Sequence, residues 1–69
     1  MIEIFKTGVT TKVVADEIVK QLQSKIPGAR INFDLDDCDN ILRIDSDHDF
    51  VKPVTDHLTE LGFYCEVAE

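Results

Sequence analysis

A chain of 69 residues has room for one hydrophobic core, so residues 1–69 are read as a single domain. Its 43% hydrophobic and 30% charged residues are globular composition and exclude disorder. A net charge of −7 argues against nucleic acid or anionic membrane as partners, since both attract basic surfaces, and two cysteines are too few for a disulfide scaffold.

In the first seven residues apolar and polar side chains alternate, which predicts a half-buried strand with Ile2 and Ile4 on one side and Glu3 and Phe5 on the other. Gly8 permits the positive φ that a sharp strand-to-helix turn often needs, and Thr10 or Thr11 is placed to cap a helix. In that helix Val14, Ile18, Leu22 and Ile26 recur every fourth residue, with Ala15 and Val19 beside them and Val13 on the exposed side. Asp16 and Glu17 early and Lys20 and Lys25 late follow the order that the helix dipole favours, and Pro27-Gly28 stops the helix.

Ile31, Phe33 and Leu35 alternate with Arg30, Asn32 and Asp34 as a second strand. Residues 36–40 form a hairpin loop, and 41–45 return as a third strand with Leu42 and Ile44 inward. Residues 46–49 make a polar turn suited to capping a second helix, whose stripe is Phe50, Val51, Val54, Leu58 and Leu61. That helix starts near Phe50, because Pro53 is tolerated only near the first turn. Gly62 ends it, and Phe63, Cys65 and Val67 alternate into a last strand.

The order β-α-β-β-α-β predicts an α+β, ferredoxin-like sandwich: a four-stranded antiparallel sheet, strand order 4-1-3-2, with both helices on one face. This layout gathers the 8–14 turn, the 36–40 hairpin and the Gly62 turn at one pole. It leaves Glu3, Phe5, Arg30, Asn32, Ile41, Arg43, Tyr64 and Glu66 on the open sheet face. Phe5, Ile41 and Tyr64 are the expected contact patch there, for another protein or a second copy of the chain.

Three stretches, Thr7 through Val14, Lys25 through Ala29, and Leu61 through Val67, resemble the heavy-metal-associated domains of copper chaperones and metal-transporting ATPases, and the similarity covers nearly all of the chain. That family carries Gly-Met-Thr-Cys-x-x-Cys at the first turn. Here Val9 stands in the place of Met, and Thr11 and Val14 stand in the places of the two cysteines. The resemblance implies the family's fold without its carrier chemistry, because Cu(I) and zinc in such a site rely on thiolate sulfur.

Of the remaining candidates, Cys38 is the sharpest. It is flanked by Asp36, Asp37 and Asp39 at the hairpin, where one thiolate with carboxylates suits a divalent ion if a partner supplies a second soft ligand. The competing reading is a solvated turn with an incidental thiol. Cys65 is read as a small inward residue on the sheet edge away from the hairpin, so no disulfide with Cys38 is expected. Asp45, Asp47, Asp49 and Asp56 imitate a calcium loop, but Phe50 stands where that loop needs glycine, and a helix-capping turn accounts for them. His48 and His57 are not paired by spacing, and His57, beside the apolar stripe, is read as structural.

No nucleophile with a base in reach and no phosphate-cradling Gly motif is visible, so neither an enzyme nor a cofactor is expected. No apolar run approaches the ~20 residues of a membrane span, and the first residues lack a signal-peptide pattern, so a reducing cytoplasm is the expected setting. The chain is therefore read as a small acidic binding or protein-interaction module. The alternatives are a divalent-metal protein using the Cys38 hairpin and a regulatory domain that binds a small molecule between two copies.

Overall fold

The computed structural model describes residues 1–36 and 38–68. They form β1 (Ile2–Thr7), α1 (Lys12–Lys25), β2 (Arg30–Asp34), β3 (Ile41–Asp45), α2 (Val51–Glu60) and β4 (Cys65–Val67). The strands make one antiparallel sheet in the order β2-β3-β1-β4, which is 4-1-3-2 read from the other edge. Apolar residues of both helices bury against one face of it, in a cluster that includes Ile18, Leu22, Leu42, Ile44, Val54 and Leu58.

Local chemistry sets the element ends. The Thr11 hydroxyl caps α1 by accepting the Val14 amide at 3.3 Å. Ala15, Ile18, Leu22 and Ile26 are buried, whereas Val14 lies at the margin of the stripe and is only half-buried. The first turn of α1 holds Lys12 and no acid. Asp16 answers it one turn later at 3.3 Å, so the expected dipole order is met only at the C-terminal end, by Lys25. Asp49 accepts the Val51 amide at 3.3 Å at the start of α2, and Pro53 sits in the first turn where its missing N–H costs nothing. Gly62, at φ 90°, closes α2. Its amide reaches the Thr59 carbonyl at 2.9 Å and the Phe63 amide reaches Leu58 at 2.9 Å, the paired bonds of a Schellman ending.

The facing of β1 corrects the sequence reading. Phe5 pairs with Leu42 and Glu3 with Ile44, so Glu3, Phe5 and Thr7 share the helix-facing side with those buried residues. Phe5 is 0% exposed, and its ring meets that of Phe50 with centroids 6.4 Å apart. Ile2, 60% exposed, lies on the open face with Ile4 and Lys6. Phe5 therefore does not belong to the open-face patch. Alternation separates two sets of side chains without saying which set meets the helices. The larger ring fills the space beneath Phe50, and the two isoleucines go outside.

A domain of this size rarely has more than about 3–5 kcal/mol of stability, and truncating a buried Phe to Ala costs about as much. Phe5→Ala should therefore be largely unfolded in a urea titration followed by circular dichroism. Ile2→Ala should shift the midpoint only slightly, and the reverse ranking would restore the opposite facing of β1.

Candidate functional site

Thr7 draws the loops of one pole together. Its buried hydroxyl donates to the Asn40 carbonyl at 2.7 Å and accepts the Val9 amide at 3.2 Å, while its own amide donates to the Asp39 carbonyl at 3.2 Å. The next amide, of Gly8, donates to Tyr64 O at 3.0 Å and binds the entry to β4. The 8–14 turn, the hairpin and the segment after Gly62 are thus gathered at one pole, as the topology predicts. Asn40 enters β3 at φ 49°, a left-handed conformation that asparagine tolerates. Val9 turns inward and is fully buried, which pins the turn to the core.

At Thr11 and Val14, the positions where the expected motif would carry cysteines, the side chains serve the fold. Thr11 is exposed and its oxygen is spent on the helix cap. Val14 packs against the core margin. Around Val14 lies a groove of about 380 Å³ between α1 and the exit of α2, lined by Val13, Val14, Ile18, Leu61 and Phe63 with Glu17 and Gln21 at its side. Val13 is 81% exposed, as its spacing predicts. Leu61 fits the α2 stripe by spacing, and its amide still reaches the His57 carbonyl at 3.2 Å, yet at the C-cap it is 44% exposed. Sequence reasoning missed this groove for that reason: its halves come from residues assigned separately to a core stripe and to an exposed turn.

Cys38 is exposed at the hairpin and Cys65 half-buried on β4, with both thiols unpaired. Asp37 lies outside the described residues. Among the described residues no three His, Cys, Asp or Glu side chains converge as a metal ligand set, so Asp36, Cys38 and Asp39 do not form one together, nor do Asp45, Asp47, Asp49 and Asp56. Asp49 accepts the Val51 amide just ahead of α2, whose N-cap is Phe50 with no side-chain cap, and Asp56 pairs with Lys52 at 3.0 Å. His57 bridges the helices, its ring Nε2 2.7 Å from Gln21 Oε1, the structural role its position predicts.

The open face keeps Ile41, half-buried, and Tyr64, 55% exposed, from the expected patch, with Ile2 and Ile4 added in place of Phe5. Lys6 opposes both Ile41 and Glu66, and Arg43 opposes Ile4, so charge breaks up the apolar surface. The Tyr64 hydroxyl donates to the Glu66 carboxylate, and that bond is the main cause of a raised Tyr64 pKa. Among the described residues no helix is long and apolar enough to cross a membrane. Comparison with protein-family models, curated proteins and solved structures finds no match to the chain.

Burial raises the Cys65 thiol from 9.0 to about 11. A thiol reagent at pH 8 should therefore label Cys38 first in the native protein, and comparable rates would mean that β4 is detached. Because the folded-state pKa lies above the unfolded one, the unfolded chain loses its Cys65 proton first as pH rises. Stability attached to the neutral thiol should be lost between pH 9.0 and about 11, and Cys65→Ala should flatten that part of the denaturation profile.

Proposed function

We propose that this chain is a small, non-enzymatic, cytoplasmic binding module, similar in layout to heavy-metal-associated domains, with an apolar contact surface where those domains carry thiolates. The carrying observation is the groove at the turn. Val13 and Leu61 stand exposed on its two sides, and Val14 and Phe63 form its floor. Each apolar side chain that a partner seats there contributes about 1.5–3 kcal/mol on full burial, enough for a transient contact resting on one or two anchors.

The occupant is a segment of another protein in which apolar side chains lie between basic ones. Glu17 borders the groove, Glu60 precedes Leu61, and the net charge of −7 favours a basic partner at long range. An amphipathic peptide of leucine and lysine is the direct probe. Titrated against the labelled protein, it should shift the amides of Val13, Val14, Glu17, Leu61 and Phe63, and a leucine–glutamate peptide should not. Equal response to both peptides, or shifts confined to the open sheet face, would overturn the groove as the contact.

The likeness to the metal-binding family has its own test. If the turn keeps that family's backbone, Thr11→Cys with Val14→Cys should take up one Cu(I) or Zn²⁺ per chain, and each single substitution should do much less. Losing the Thr11 cap costs about 1 kcal/mol and shrinking Val14 about another 1 kcal/mol, so the double variant should fold less stably. A folded double variant that binds no better than the parent in a chelator competition would withdraw the likeness at this turn.

A further inference from the structure

The sheet has two free edges, β2 and β4, and they differ in what they offer a second strand. β4 is three residues long with Glu66 at its centre, so pairing with another β4 about that residue sets two carboxylates face to face. β2 is five residues long, Arg30-Ile31-Asn32-Phe33-Asp34, with no proline or lysine to blunt it. Read antiparallel against itself about Asn32, it places Arg30 opposite Asp34 twice and Ile31 opposite Phe33 twice, with Asn32 opposite Asn32. The charged pairs fall on the open face, and the apolar pairs fall on the helix side.

The surroundings of β2 fit the same partner. Ile31 is buried, but Phe33 and Leu35 are only half-buried, and a groove of about 680 Å³ runs beside β2 under α1, with Val19 on its wall. Asp34 Oδ1 accepts the Asp36 amide at 3.2 Å, which holds the carboxylate beside the strand with a second oxygen to offer. Arg30 is the cross-strand neighbour of Asp45 on the same face, and Asp45 itself pairs with the Met1 amino group at 3.6 Å.

We propose that β2 is a self-pairing edge: two copies of the chain join antiparallel through it, about a two-fold axis at Asn32, into one continuous sheet with both helical layers on the same side. The pairing covers Phe33 with the partner copy's Ile31, and it brings the β2-facing flanks of the two α1 helices together across the axis. The net charge of −7 on each chain opposes association at long range. At a Debye length of about 8 Å in physiological salt that repulsion is damped, while cross-strand pairs about 5 Å apart are not. The proposal rests on the reading of the chain as a binding module but uses the other flank of α1 from the Val13–Leu61 groove.

Sedimentation equilibrium of the full chain, reduced to prevent a Cys38 disulfide and in 0.15 M salt (about one 8 Å Debye length), tests it. The native chain should show a concentration-dependent dimer. Arg30→Asp and Asp34→Arg each turn both charged pairs repulsive and should weaken the dimer by about tenfold or more. The double variant carrying both changes restores complementarity in this register alone, and it should recover most of the dimer. Arg30→Asp also faces Asp45 within its own chain. Asp34→Arg lacks that conflict, and amide spectra confirm the fold of each variant. A native chain that stays monomeric, single reversals that leave the dimer intact, or a double variant that fails to recover it would each overturn the proposal. Val13→Ser with Leu61→Ser, which leaves the net charge at −7, should abolish peptide binding at the groove and leave the dimer constant unchanged. Loss of the dimer in that variant would move self-association to the groove and overturn the β2 pairing.

Discussion

The buried hydroxyl of Thr7 is the constraint on which this pole of the molecule depends. A hydroxyl removed from water must both donate and accept, or the fold bears a cost of about 1–3 kcal/mol. Thr7 does both, to the Asn40 carbonyl and from the Val9 amide. In doing so it joins two segments 33 residues apart in sequence. Without that link the hairpin would be tied to the 8–14 turn mainly through the Thr7 amide, and the turn would lack the partner that sets Val9 inward. Among the described residues every buried side-chain nitrogen and oxygen has a hydrogen-bond partner, so none of that desolvation cost is left uncompensated.

The turn at this pole is held by three further contacts. Val9 anchors it from below, Thr11 caps the helix that leaves it, and Gly8 ties it to Tyr64. A side chain at Gly8 would meet Tyr64 at 3.5 Å, ordinary contact, and Gly8 is not among the positive-φ glycines, so the turn places no steric demand for glycine there. The Thr7 and Thr11 hydroxyls and the Gly8 amide are thus all engaged in holding the backbone. Among the exposed side chains of the pole, which include Thr10, Lys12, Asp36 and Asp39, Val13 and Leu61 are the large apolar ones, and apolar surface of that kind gains free energy when it is covered.

Much of this was legible in the sequence because period and punctuation agree. Alternation in 30–35, the four-residue recurrence from Val14 to Ile26, and the stops at Pro27-Gly28 and Gly62 fix six elements and, with their lengths, the sheet order. Facing was not legible for β1. Ile2 and Ile4 against Phe5 is a near tie in hydrophobicity, and only the pairing with Leu42 and the presence of Phe50 above decide it. The groove was hidden for a related reason. Leu61 continues a stripe by spacing and keeps helical dihedrals at the C-cap, yet it is exposed there, because periodicity does not say how far along a helix the cover of the core extends. The acidic hairpin was conspicuous because composition shows charge at once, whereas convergence of ligands is a property of three-dimensional placement that composition does not carry.

Charge separates the two contact surfaces proposed for α1. A basic segment approaching the Val13–Leu61 groove is drawn in by the net charge of −7, an attraction that salt weakens. Two copies approaching through β2 meet the reverse: long-range repulsion that salt relieves, followed by opposite charges in register at contact. Both tendencies act on one helix, since Val13 and Glu17 line one flank and Asp16 and Val19 the other. Any shift of α1 on the sheet would alter both surfaces at once, and by linkage the coupling would run equally in each direction. The Lys12–Asp16 pair at the start of that helix, at 3.3 Å and exposed, contributes little to stability. It matters more as the local charge that a second copy of α1 would meet across the β2 axis.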